Sequence, residues 1–231
     1  MKIGLLADIH SNADALAAVL KKAQKINIEK LLIAGDLVGY YYELDRVLTL
    51  LDDWEWTAIG GNHEAMLQEW LLGKRHKVIR EKYGSSFEVA CNKVSRSVLK
   101  SLSELPENQS LSVDGKSVFM CHGSPWDRDK YIYPDADEDI VNRMFGKGVK
   151  LTLFGHTHYP VHWQYEYMTV VNPGSVGQPR DYLPGACWAM WDTRSERVEL
   201  RREYYDSSRL IKNCQLRDPD LPYLAEVLDR T

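Results

Sequence analysis

The order of apolar runs in this 231-residue chain predicts an α/β fold made of two β-sheets with helices outside. Three observations predict it. The first sixty residues alternate short apolar runs with amphipathic stretches in a β-α-β-α-β rhythm, which indicates a parallel sheet with helices packed on it. Polar residues directly follow each run, at the edge where open α/β sheets bind ligands. Later, residues 161–165, 169–171, 186–191 and 198–204 read as antiparallel strands of a second sheet.

Taken in order, Ile3-Gly4-Leu5-Leu6-Ala7 is a short run of buried-strand type. Asn12 can cap a helix whose Leu16, Val19, Leu20 and Ala23 recur at helical spacing. Residues 31–34 form a second run ending at Gly35-Asp36, and 45–51 carry a shorter helical pattern. A third strand, 57–59, ends at Gly60-Gly61-Asn62-His63. Over 85–102 one stripe, Phe87, Ala90, Val94, Val98 and Leu102, predicts a single helix that Pro106 ends. Residues 110–113 and 117–120 read as strands around an Asp114-Gly115 turn, the second ending at Cys121-His122-Gly123. A loop rich in Asp, Tyr and Pro leads to a short helix at 138–145. Residues 151–154 form a strand ending at Gly155-His156-Thr157-His158, and 221–228 read as a closing helix. No repeat or linker divides the chain, so one domain over 1–231 is the simplest reading.

Composition narrows the function. With 44% hydrophobic residues the chain is neither disordered nor fibrous, and a net charge of −4 supplies no basic field for nucleic acid. Cys91, Cys121, Cys187 and Cys214 form no CxxC pair and read as reduced thiols of a cytosolic protein. Cys121, beside His122, reads as a catalytic thiol or as a small apolar residue ending a buried strand. Asp8 and His10 come too early for a signal-peptide core, and no apolar run approaches the ~20 residues that span a bilayer, so the expected location is the cytoplasm.

Of seven histidines, His10, His63, His122, His156 and His158 immediately follow predicted strands; His76 and His162 do not. With Asp8, Asp36 and Asn62 they gather more polar and ionisable groups at one sheet edge than packing explains, unless they are paired or bind metal. Carboxylate, imidazole and amide oxygen suit Mn²⁺, Fe, Zn²⁺ or Mg²⁺. In Asp8-Ile9-His10 and His156-Thr157-His158, alternate residues of an extended segment would point the same way and deliver two ligands each.

Asp-x-His, Gly-Asp, Gly-Asn-His-Glu, His-Gly and Gly-His-Thr-His, in this order over roughly residues 3–180, resemble the calcineurin-like metallophosphoesterases. Asn172-Pro173-Gly174-Ser175-Val176-Gly177 and His122-Gly123-Ser124-Pro125 are similar to its small single-domain bacterial and archaeal phosphodiesterase branch. The resemblance implies a four-layer α/β/β/α sandwich. It implies two divalent metals, one on Asp8, His10, Asp36 and His158, the other on Asp36, Asn62, His122 and His156, with Asp36 bridging. Manganese is the first expectation, with Fe, Zn, Ni or Mg as alternatives. His63 would be catalytic, stabilising charge or protonating the leaving group. Two metals ~3.5–4 Å apart would acidify a shared water for attack on phosphorus.

One motif departs from the pattern. Phosphoprotein phosphatases of the superfamily carry Gly-Asp-x-Val-Asp-Arg-Gly, whereas this chain has Gly35-Asp36-Leu37-Val38-Gly39-Tyr40. The Asp that orients the catalytic His and the Arg that clamps phosphate are missing, and Glu64 or a backbone group would have to orient His63. Tyr40-Tyr41-Tyr42 at the site edge could stack a base or serve as packing. Arg180 could contact phosphate or form a surface salt bridge. Lys74-Arg75-His76-Lys77 could attract polyphosphate or be a solvated loop. Trp126 could wall a pocket, and His162 reads as a strand-surface residue. The expected substrate is a small phosphodiester or phosphomonoester, with nucleotides included; the alternatives are dinucleoside polyphosphate hydrolysis and a non-catalytic protein-binding scaffold. Oligomeric state leaves no mark in the sequence.

Overall fold

The structure, a computed structural model, describes residues 1–229. Its strands are β1 Lys2–Leu6, β2 Lys30–Ile33, β3 Trp56–Ala58, β4 Asn108–Val113, β5 Lys116–Cys121, β6 Leu151–Leu153, β7 Pro160–Tyr165, β8 Met168–Pro173, β9 Ala186–Asp192 and β10 Arg197–Glu203. Its helices are α1 Ala13–Lys25, α2 Leu44–Leu51, α3 Asn62–Leu71, α4 His76–Tyr83, α5 Ser86–Lys93, α6 Arg96–Ser103, α7 Glu138–Met144, α8 Ser208–Arg217 and α9 Tyr223–Glu226. Two mixed five-stranded sheets result, ordered β10-β9-β1-β2-β3 and β4-β5-β6-β8-β7.

Side-chain alternation builds the layers. In β1 and β2, Leu6, Leu31 and Ile33 face a helix-side core with Leu16, Val19, Val47, Leu67, Phe87 and Leu99. Their neighbours Ile3, Leu5 and Leu32 face the other sheet and meet Val118, Met120, Leu151 and Leu153. A strand buried on both faces must be apolar throughout, which is why these runs stood out. The outer face of the second sheet is covered by Ile132, Met144 and Phe154 with Val161 and Val170. Helices therefore flank both sheets, as the resemblance implied.

Three expectations are corrected. Only β7 and β8 of the four late strands lie in the second sheet; β9 pairs antiparallel with β1 and, with β10, extends the first. Their alternating pattern serves a mixed sheet as well as an antiparallel one. The predicted helix over 85–102 is two: Val94 is extended, and the Ser95 hydroxyl accepts from Val98 N to start α6. The chain also contains α3, α4 and α8, which the sequence reading passed over, and the helix expected at 221–228 is the short α9.

Asn12 caps α1 as expected, accepting from Ala15 N at 3.1 Å. Asp114 and Gly115 both have positive φ, the geometry of a two-residue hairpin turn between β4 and β5. Among the described residues no helix is long and apolar enough to cross a membrane. The four cysteines are unpaired, and burial pushes the Cys121 thiol far up, so it packs as a small apolar residue and is no nucleophile.

Candidate metal centre

Strands β1, β2 and β3 run parallel in the first sheet and β5 and β6 in the second, and each hands on its next few residues to one cluster. Asp8 and His10 follow β1, Asp36 follows β2, and Asn62 and His63 follow β3 and open α3. His122 follows β5, and His156 and His158 follow β6. Asp8, His10 and His158 converge within 4.8 Å, as do Asp8, Asp36 and His122, and as do His10, Asp36 and His63. The convergence is not achieved by extended backbone. Asp8, His10, Asp36, His156 and His158 all have positive φ, so left-handed turns aim these side chains. Such non-glycine strain persists only where the surroundings impose it.

Glu64 is one of those surroundings. It sits at the third position of α3, and its carboxylate accepts from Gly61 N, Asp36 N and Leu37 N at 2.8 Å and Val38 N at 3.2 Å. That use engages both oxygens, so of the two groups that could orient His63, a backbone group or Glu64, Glu64 does not. Asp36 Oδ1 accepts from His63 N at 2.9 Å, which ties the β2 turn to α3. Gly61 is required there, because a Cβ would lie 2.2 Å from Asp36 Oδ1. From the opposite sheet, Asn172 donates to Gly155 O and Thr157 Oγ1, and Ser175 donates to Asp8 O. The Asn172–Ser175 motif thus braces both ligand-bearing turns.

The hydrogen bonds of the imidazoles test whether a cation fits. His10 Nδ1 lies 3.2 Å from Val38 O and His158 Nδ1 lies 2.6 Å from Gln178 O. A carbonyl only accepts, so both Nδ1 atoms carry the proton. Both Nε2 lone pairs then face each other 3.0 Å apart, while burial holds both rings neutral. His122 Nδ1 donates to Ala34 O at 2.7 Å, and its Nε2 faces Asp36 Oδ2 at 3.2 Å, Asn62 Oδ1 at 3.1 Å and Asp8 Oδ1 at 3.9 Å. At His10 and His158 two lone pairs converge with no proton between them, and at His122 a cation would replace the proton shared with Asp36, so the donor set fits divalent ions at both places. His156 Nε2 bonds Asp129 O at 3.2 Å, which leaves Nδ1 as its available donor atom, 5.0 Å ring to ring from His122.

Without a cation the carboxylates and His122 share protons. Burial, reinforced by Asp36, pushes Asp8 up to about 7 and Glu64 to about 7. Against burial, His122 and His63 hold Asp36 well below the carboxylate range. Against burial, Asp36 and Asp8 pull His122 up to about 10. Asp36 Oδ2 lies 3.8 Å from His10 Nε2 and 3.2 Å from His122 Nε2, facing both clusters.

His63 is buried and its Nδ1 has no hydrogen-bond partner. Where the phosphoprotein phosphatases carry the orienting Asp, Gly39 lies so close that a Cβ would sit 1.9 Å from that nitrogen. Rings hold His63 instead, with Tyr40, Tyr83 and His10 at 4.7–4.8 Å between centroids. Tyr83 is a site residue the sequence reading missed, because no motif includes it.

The remaining candidates separate cleanly. Of the three tyrosines only Tyr40 faces the site; Tyr41 bonds Leu224 O and Gln178, and Tyr42 donates to Asp218 near the C-terminal helices. Arg180 donates to Tyr40 Oη at 3.0 Å and Gln178 Oε1 at 2.9 Å, and its Nε is unpartnered. Arg75 and Lys77 pair with Glu69 and Glu81 on an exposed helix start, and His76 stacks on Trp70. Trp126 stacks under Arg143. His162 is exposed on β7.

Residues 1–196 match the model of the calcineurin-like phosphoesterase superfamily domain. The chain belongs to this family. Calcineurin-like phosphoesterases are metal-binding hydrolases, and relatives on both sides of the bacterial–archaeal divide resemble this member. The uncharacterized protein MJ0912 of Methanocaldococcus jannaschii is 30% identical over 91% of this chain and 92% of its own. Among solved structures, the hypothetical protein PH1004 from Pyrococcus horikoshii OT3 superposes with TM-score 0.81 and 22% identity over 98% of this chain and 97% of its own. A metallophosphoesterase from Sphaerobacter thermophilus gives TM-score 0.77 and 25% identity over 100% and 99%.

Proposed function

We propose that this calcineurin-like phosphoesterase hydrolyses small phosphodiesters or phosphomonoesters, nucleotides among them, with two divalent ions as cofactors. One ion would sit on Asp8, His10, Asp36 and His158, and the other on Asp36, Asn62, His122 and His156. The observation that carries the reading is the set of overlapping donor groups that share Asp8, His10 and Asp36, with the buried His63, its Nδ1 unpartnered, alongside. Bound ions would supply Lewis-acid charge neutralisation and an acidified water, and manganese is the first choice among Mn, Fe, Zn, Ni and Mg.

The chain's own residues do the rest. Arg180 bonds only neutral acceptors through its terminal nitrogens, so its charge is available to a phosphoryl oxygen. Tyr40 spends its hydroxyl on Arg180 and its ring against His10 and His63, so it positions both the clamp and the imidazole. Burial pushes His63 down to about 4, against the pull of Asp36, and the ring is neutral at pH 7. A neutral imidazole keeps one N–H to donate to charge building on the phosphoryl or leaving oxygen, and an arriving anion raises its basicity. Tyr40, Tyr83 and Phe87 close its other sides to water.

The test is stripping the protein with a chelator and restoring Mn²⁺, Fe²⁺, Ni²⁺, Zn²⁺ or Mg²⁺ in turn, each against aryl and alkyl mono- and diesters and nucleotides. Restored turnover on at least one ester is expected, with two ions per chain by metal analysis. A fully loaded protein inert across the panel would falsify the reading.

A further inference from the structure

Outside the cluster, the loop between β5 and α7 carries a feature that neither metal nor core explains. In Tyr131-Ile132-Tyr133 the middle residue is 1% exposed, packed beneath Met144 and Phe154, while the tyrosines on either side are 51% and 43% exposed. Alternation turns both rings outward together. They lie nearly parallel, 16° apart with centroids at 6.1 Å. Tyr131 sits 4.2 Å from the His156 ring, and Tyr133 is braced edge-on by Tyr159 at 5.5 Å. Two large rings beside His156 leave about half of their area exposed, and a stack of flat rings presents a π-face that suits another flat ring. Burial raises the Tyr131 hydroxyl, while the charges of Arg180 and Lys82 act against that rise. Arg180 is mostly buried; Lys82 lies over the Tyr83 ring at 5.0 Å.

We infer that Tyr131 and Tyr133 form a stacking shelf for the base of a nucleotide whose phosphate sits at the metal cluster. The inference rests on the phosphoesterase reading only in taking the cluster as the place where phosphate binds. The shelf is sequence-tolerant, since every base has a π-face, and it sets the substrate class by recognising a ring, with the phosphate held separately. Tyr40, whose ring is fully engaged by His10, His63 and Tyr83, is not part of it.

The experiment compares AMP with ribose 5-phosphate, which has a hydroxyl in place of the base, by calorimetric titration of the Mn²⁺-loaded protein and of its His63→Ala form, in which turnover adds little to the heat. AMP is expected to bind about tenfold tighter, the scale of one base–aromatic stack. The double variant Tyr131→Ala/Tyr133→Ala should bring the two affinities within about twofold, and Tyr131→Phe/Tyr133→Phe should keep the preference, because stacking needs the ring and not the hydroxyl. Equal wild-type affinities overturn the inference whether or not the alanine variant folds, and so does a preference that survives loss of both rings. Because binding is read without turnover, a protein that prefers AMP yet hydrolyses no ester sinks the proposed function and leaves the shelf standing.

Discussion

The two sheets contribute unlike halves to the proposed metal site. The first sheet brings both carboxylates, Asp8 and Asp36, with Asn62 and a single imidazole, His10. The second brings imidazoles alone, His122, His156 and His158. The acidic half is braced by another carboxylate, Glu64, gripping four backbone N–H groups. The imidazole half is braced by backbone carbonyls that take the proton of each ring. One half therefore supplies negative charge and the other imidazole nitrogens, of which His122 is held protonated by Asp36 and Asp8. A cation is what makes the two compatible.

The sharpest way to break that comparison is Asp36→Asn, which removes the charge facing both clusters. Losing one aimed electrostatic group costs about 10²–10³-fold in turnover, and Asp36 serves two positions, so the upper end is expected. Metal analysis should show at least one ion lost; a variant with full metal content and near-normal diester turnover would refute the bridging role. Next comes His63→Ala, which leaves both halves intact. Turnover should fall by about 10²–10⁴-fold with two ions retained. Activity near wild type on an aryl diester would remove His63 from the reaction.

Gly39→Ala should be milder. The new methyl group meets His63 Nδ1, at a backbone angle of φ +98, and shifts the ring. Misplacement of about 1 Å can cost as much as 10²-fold, so a loss of about ten- to a hundredfold in kcat is expected with metal content unchanged. The smallest effect belongs to the metal-free protein. His122 ionises near 10 in the fold, above its unfolded value, so its stabilising contribution is complete at low pH and drains away as pH rises towards 10. Between pH 8.5 and 9.5, above the range where Asp8 and Glu64 titrate, the Tm of chelator-treated protein should fall with pH. Metal-loaded protein should hold its Tm across that window, since ligation replaces the proton. A flat metal-free profile would show that Asp36 and Asp8 do not pull on His122.

Much of this was legible in the sequence because the site interrupts the strands. An apolar run that stops at Gly35-Asp36 or Gly155-His156 marks a strand end and a ligand at once. What stayed hidden has physical reasons. Helix α3 begins inside the Gly-Asn-His-Glu motif, so its first turn reads as chemistry and not as a helix start, although Glu64 at its third position is a capping signal. The break at Val94 carries no Gly or Pro, only a serine cap. Helix α8 buries little more than Leu210 and Cys214, too thin a stripe to stand out. Strand alternation predicts that each motif points both its polar residues one way, but the backbone at Asp8, His10, His156 and His158 is left-handed, not extended. Tyr83 and Tyr131 belong to no motif; only the folded chain brings them to the cleft.

His10 and His158, whose nitrogens meet at 3.0 Å, are 148 residues apart along the chain. A growing polypeptide that has released only its first hundred residues has Asp8, His10, Asp36 and Asn62 but none of the opposing imidazoles. Long loops must close before those partners meet, and contacts of such sequence separation form late in folding. The proposed metal uptake would thus be a finishing step, open only to a chain whose second sheet has docked correctly on the first.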